Sequence, residues 1–164
     1  MNALWSYFWP VFAAGVVLGA IAATIAFRRK RNLALGAGAV VAIAAAAVWH
    51  GPLGAADHFS ARVETGAQQA LDYYEMAGVT AQLERNPLSR QLKLRGPADD
   101  FQRSELVRVL DQLPGVSSVS WSPKRTGLPL VVESWLMVII GFLVGWLLAY
   151  LVELRRRYNS QWKW

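Results

Sequence analysis

Residues 134–152 read Ser-Trp-Leu-Met-Val-Ile-Ile-Gly-Phe-Leu-Val-Gly-Trp-Leu-Leu-Ala-Tyr-Leu-Val, nineteen positions without a charged side chain. A helix of that length rises ~28 Å at 1.5 Å per residue, close to the ~30 Å hydrocarbon core of a bilayer. The stretch therefore predicts a transmembrane helix over 128–153, with Glu133 near its start. Two further apolar runs precede it. Residues 4–27 carry no charge over 24 positions, and residues 33–49 are a 17-residue run rich in alanine. They predict helices over 1–27 and 33–51. Pro10 in the first is expected to kink it or to leave a short non-helical lead-in. Of the 164 residues 54% are hydrophobic and 17% charged, against about 25% charged in an ordinary soluble domain.

Charge sets the expected orientation. Met1 to Pro10 has no charged side chain, and the cluster Arg28-Arg29-Lys30-Arg31 follows the first apolar run. A signal peptide carries its positive charge first, so an uncleaved helix with its N-terminus outside is expected. Arg155, Arg156, Arg157 and Lys163 follow the third run. Residues 50–127 hold nine basic and nine acidic side chains, so the net charge of +6 comes from the flanks of the apolar runs. By the positive-inside rule, 28–32 and 154–164 are cytoplasmic and 52–127 lies outside. The basic pI then needs no nucleic-acid partner. Trp5, Trp9, Trp49 and Trp135 fall near the outer interface as anchors, and Trp162 and Trp164 close the inner tail.

The outer segment carries its own fold signal. Gly51-Pro52-Leu53-Gly54 breaks the second helix. Phe59, Val63, Ala67, Ala70, Leu71 and Tyr74 then recur at spacings of three and four, predicting an amphipathic helix over 55–76 stopped by Gly78. The period changes to two in Val79–Leu83 and again in Gln91–Arg95, around Asn86-Pro87-Leu88-Ser89, which predicts a hairpin. Asp99 with Gln102 has the spacing of a capping box. Leu106, Val109, Leu110 and Leu113 mark a second helical face, which Phe101 does not share. Val116–Trp121 alternates as a third strand. The expected domain is α-β-β-α-β, with the second helix crossing over to bring the third strand beside the hairpin and burying Leu106 and Leu110 against Leu83 and Leu92.

This segment resembles the BON family of small bacterial envelope domains. The likeness rests on the hairpin Val79–Arg95, Gly96 after it, the amphipathic helix, and the closing run Leu113-Pro114-Gly115-Val116-Ser117-Ser118-Val119. It departs from the family at the turn, where Asn86-Pro87-Leu88-Ser89 stands in place of the usual Asn-Gly or Asp-Gly. The resemblance implies an extracytoplasmic module without catalysis that meets phospholipid surfaces or partner proteins. Arg85, Arg90, Lys93 and Arg95, near the hairpin turn, are the candidate surface for such a lipid or partner.

No catalytic, metal or cofactor site is expected. The chain has no cysteine, so disulfides, thiolate metal sites and cysteine nucleophiles are excluded. His50 and His58 flank a Gly-Pro break and lack the spacing of convergent ligands. Asp99-Asp100 suits a helix N-terminus rather than a paired acid and base. The serines of 117–122 have no histidine in a recognisable motif. Glu133, the one ionisable residue within an apolar run, is expected to sit at the wet start of its helix. Helix association is expected along Gly15, Gly19 and Ala23 and along Gly141, Gly145 and Ala149, two GxxxG rows each extended by one alanine.

The sequence thus predicts a non-enzymatic, multi-pass protein of a bacterial inner membrane that displays a periplasmic domain. Its expected partners are membrane lipids and a membrane protein or a second copy of itself, with no nucleic acid and no small-molecule substrate. The second reading is an accessory subunit of a photosynthetic or respiratory membrane complex.

Overall fold

A computed structural model describes residues 2–28, 31–124 and 127–160, the side chains of Arg31 and Ser160 excepted. The elements are α1 (Ala3–Arg28), α2 (Arg31–His50), α3 (Ala55–Tyr73), β1 (Thr80–Arg85), β2 (Leu88–Arg95), α4 (Asp100–Leu110), β3 (Ser118–Ser120) and α5 (Leu130–Ser160). They form two compact units, Met1–Tyr7 with Gly54–Glu133, and Phe8–Leu53 with Ser134–Trp164.

In the second unit, α1, α2 and α5 are each long and apolar enough to cross a membrane. Pro10 lies inside α1, which is helical from Ala3, so the expected lead-in is absent. As the eighth residue of α1, Pro10 removes one intrahelical donor, the one that would reach the Ser6 carbonyl, and the helix continues through it. The unit's core is small: Val11, Ala22, Ala42, Ala46, Val138 and Phe142 are buried, with Leu18, Ile43 and Trp49 packed against them. α5 runs well past Val152, through Arg155–Arg157 to Ser160. No glycine or proline interrupts this basic stretch, and cations suit a helix C-terminus.

The first unit has a three-stranded sheet of order β1-β2-β3. β1 and β2 are antiparallel, with Leu83 opposite Leu92 and Ala81 opposite Leu94. β3 runs parallel to β2, Val119 opposite Leu92, so α4 is the crossover the sequence predicts. Phe59, Val63, Ala67 and Leu71 of α3 are buried, as are Leu106 and Leu110 of α4 and Leu83, Leu92 and Leu94 of the sheet. The hairpin loop is Asn86-Pro87, joined by a cis peptide, and both strands run closer to it than the alternation implies.

Three local devices fix the connections. Asp99 accepts from the backbone N–H of Gln102 at 2.7 Å while the Gln102 side chain accepts from Asp99 N–H at 3.0 Å, so the capping box is complete. α3 stops at Tyr73, before the expected end. Glu75 takes the left-handed conformation (φ 56°), and Met76 N–H and Glu75 N–H close on the carbonyls of Leu71 and Asp72. These bonds form the Schellman pattern and satisfy the end of the helix without the glycine at 78. Gly115 has φ 108°, and a Cβ there would lie 2.6 Å from Val63 Cγ2. Its bare backbone lets the turn after α4 close on α3.

Candidate functional site

Strand parity decides what the four hairpin cations can do together. Successive side chains alternate between faces, so Arg90 shares a face with buried Leu92 and Leu94, whereas Lys93 and Arg95 take the other. Arg85, opposite Leu88, turns to α3, where its guanidinium meets Glu64 at 2.7 Å. Arg90 Nε lies 2.7 Å from Glu133 Oε2, an ion pair outside hydrogen-bond alignment. Lys93 pairs with Glu84 and also donates to Pro123 O at 3.0 Å. Four cations close in sequence are therefore divided between two faces, and three of them meet carboxylates.

The sheet face away from the helices is partly covered by the chain itself. Gln91 Nε2 donates to Lys124 O at 3.2 Å, and Pro129 bridges Ser89. A Cβ on Gly127 would touch Ser89 and Gln91 at 3.2–3.3 Å. Lys124, Gly127 and Pro129 thus lie over β2, which explains why the polar Ser89 and Gln91 are buried. What stays open is the strip of Thr80, Gln82 and Arg95.

A different surface gathers apolar side chains. Tyr74 and Met76 after α3 and Phe101, Leu106 and Val109 of α4 line a shallow groove of about 220 Å³. Phe101 is 74% exposed and Tyr73, beside the groove, 82%. The Tyr73 and Tyr74 rings meet edge to face at 5.3 Å. Glu105 accepts from Arg108 at 2.6 Å on the rim, and this pairing raises the Arg108 pKa above its ordinary value. The sequence signal for this surface was Phe101, an aromatic off the helical stripe, and the adjacent tyrosines.

The small-residue rows meet each other within the helical unit. A Cβ on Gly15 would overlap Val138 O, one on Gly19 Phe142 O, one on Gly141 Phe12 O, and one on Gly145 Val16 O. Residue numbers rise together along both helices, so α1 and α5 lie parallel. Ala23 is buried and Ala149 half-buried. The close approach that GxxxG permits is used inside one chain.

The remaining candidates fall as follows. Trp5, Trp9 and Trp135 are exposed and Trp49 half-buried; Trp162 and Trp164 lie outside the described residues. His58 is exposed in the first turn of α3, and His50 ends α2. Ser120 and Ser122 bond to one another's turn, Ser122 N–H donating to Ser120 Oγ at 3.0 Å. No group of three His, Asp or Glu side chains able to hold a metal occurs among the described residues. No protein family, curated protein or solved structure matches the chain.

Proposed function

We propose that this is a membrane-anchored interaction protein without catalysis: α1, α2 and α5 cross a bacterial inner membrane, and the α3–β3 domain, BON-like in its element order, binds a partner protein on the periplasmic side. The membrane part rests on surface chemistry. Val17, Ile21 and Ile25 of α1, Val40 and Val41 of α2, and Leu143, Leu147 and Leu151 of α5 are all about half exposed or more. Contiguous apolar surface on that scale is at home in lipid and not in water.

The observation that carries the binding role is the groove around Phe101. Exposed aromatics, a methionine and an arginine on one surface are the composition of protein-binding hot spots. The hairpin cations support a lipid-surface role less well, because ion pairing consumes most of their charge. A photo-crosslinking residue at Phe101 of the full chain, expressed in cells, should yield a protein adduct, whereas one at Gln82 on the open sheet strip should not. Lipid adducts at Phe101, or none, would remove the proposal.

A second reading, the accessory subunit of a larger membrane complex, draws on α2. Its spanning window is 11% buried, and a Cβ on Gly36 would meet nothing within 4 Å. Since the glycine rows of α1 and α5 are occupied by each other, α2, the least buried of the three helices, offers the face for such docking.

A further inference from the structure

At the end of the helical unit that carries Arg28, α1 and α5 part to leave a groove of about 530 Å³. Its floor is Ala20, Thr24 and Phe27 of α1 and Leu148, Ala149 and Val152 of α5. These residues recur at helical spacing on each helix and continue into Arg28 and Arg156. From Ala20 to Arg28 the groove follows eight residues, ~12 Å of helix axis. Thr24 Oγ1 donates to Ile21 O at 2.8 Å, so its hydroxyl is satisfied within α1 and asks nothing polar of an occupant.

The charges at the groove end are unevenly matched. Glu153 accepts from Arg157 Nε at 3.1 Å. Among the described residues neither Arg28 nor Arg156 has a carboxylate partner. Two guanidiniums therefore border an apolar trough whose only acid is already engaged.

We propose that this groove is a binding site for one anionic phospholipid, with its phosphodiester between Arg28 and Arg156 and an acyl chain along the alanine floor. Charge complementarity selects this occupant. A guanidinium fork matches phosphate oxygens geometrically, and basic pockets between helices at the cytoplasmic face suit acidic headgroups. An apolar partner helix would fill the trough and leave both arginines without an anion. The inference rests on the reading that α1 and α5 span a membrane.

The test uses the full chain in mild detergent, offered equal amounts of phosphatidylglycerol and phosphatidylcholine and read by native mass spectrometry. One phosphatidylglycerol should be retained per chain in preference to phosphatidylcholine. Arg156→Gln should weaken retention about fivefold and Arg28→Gln with Arg156→Gln about thirtyfold, from the loss of one charge-assisted contact to the phosphodiester with each arginine. The charge-matched Arg155→Gln, one residue outside the groove lining, should change it less than twofold. Arg28→Lys with Arg156→Lys, which keeps the charge, should stay within about fivefold of the parent. Ala149→Phe should fill the floor and lower retention of either lipid.

Equal losses from Arg155→Gln and Arg156→Gln would mean diffuse surface attraction and overturn the site. A polypeptide crosslinked from Thr24 in place of lipid would overturn it as well. A chain that resists carbonate extraction yet shows no preference for phosphatidylglycerol removes this inference alone. A chain washed from membranes by carbonate removes the membrane reading, and this site with it.

Discussion

Arg90 of β2 and Glu133 in the first turn of α5 stand 2.7 Å apart, with about a fifth of each side chain exposed. The acid that interrupts the third apolar run thus has a partner far away in sequence, and the hairpin is tied to the start of α5. Removing one member of a largely buried ion pair strands the other. Glu133→Gln should therefore lower the stability of the domain by about 2 kcal/mol. The reversed pair, Arg90→Glu with Glu133→Arg, should recover part of the loss. Thermal unfolding of the full chain followed by tryptophan fluorescence would measure both, and equal stability of Glu133→Gln and parent would show the pair to be idle.

The same pair marks where sequence reading stopped. Glu133 was legible as an acid in the first turn of a helix and Arg90 as a hairpin cation, but the wet surroundings expected for Glu133 are replaced by a largely buried ion pair, which no local period announces. Periodicity did recover the order of elements: α3, β1, β2, α4 and β3 follow from stripes and alternation. The crossover of α4 placed β3 beside the hairpin, and the structure selects β2 as its parallel partner. Faces were harder. Arg85, Arg90, Lys93 and Arg95 look like one patch along the chain, yet a period of two divides them and three of the four are engaged by carboxylates. The covering of Ser89 and Gln91 by Lys124, Gly127 and Pro129 is a long-range contact with no sequence period. Glycine spacing named the rows of α1 and α5, but only their facing carbonyls identify the partner.

Those carbonyls make a graded prediction. A methyl group at Gly19 or Gly145 would run into the backbone of Phe142 or Val16, whereas Gly36 faces open space. Backbone atoms yield less readily than side chains, so Gly19→Ala and Gly145→Ala should each cost about 1–3 kcal/mol of helix packing. Gly36→Ala should be neutral. Retention of folded chain in increasing dodecyl sulfate would rank the three, and identical curves would exclude the tight crossing.

The capping box offers a local test. Asp99→Ala removes the acceptor for Gln102 N–H and should destabilise the start of α4 by about 1 kcal/mol. Amide exchange at Gln102 and Arg103, whose N–H groups bond to Asp99, should then accelerate about fivefold, with little change in α3. Because Phe101 lies in that first turn, crosslinking from its ring should also weaken. Uniform acceleration across both helices would point instead to global unfolding.

Orientation gives the last prediction, and the absence of cysteine makes it clean, since any introduced thiol is unique. On the proposed reading α5 alone crosses the membrane between the hairpin turn and its own C-terminal end, in the same direction as α1, to which it runs parallel in their unit. By the positive-inside rule the basic residues at 28–31 and 155–157 predict that end to be inside. Asn86→Cys should react with a membrane-impermeant maleimide from the periplasmic side of intact cells. Asn159→Cys, exposed near the end of α5, should react only after the inner membrane is opened. The two substitutions report independently, and each removes a surface amide with no structural partner shown. If both thiols label from the same side, α5 does not cross, and the periplasmic placement of the domain falls with it. If the pattern inverts, the helices cross but the domain meets its partner in the cytoplasm, and the arginine-bordered groove faces the outer leaflet.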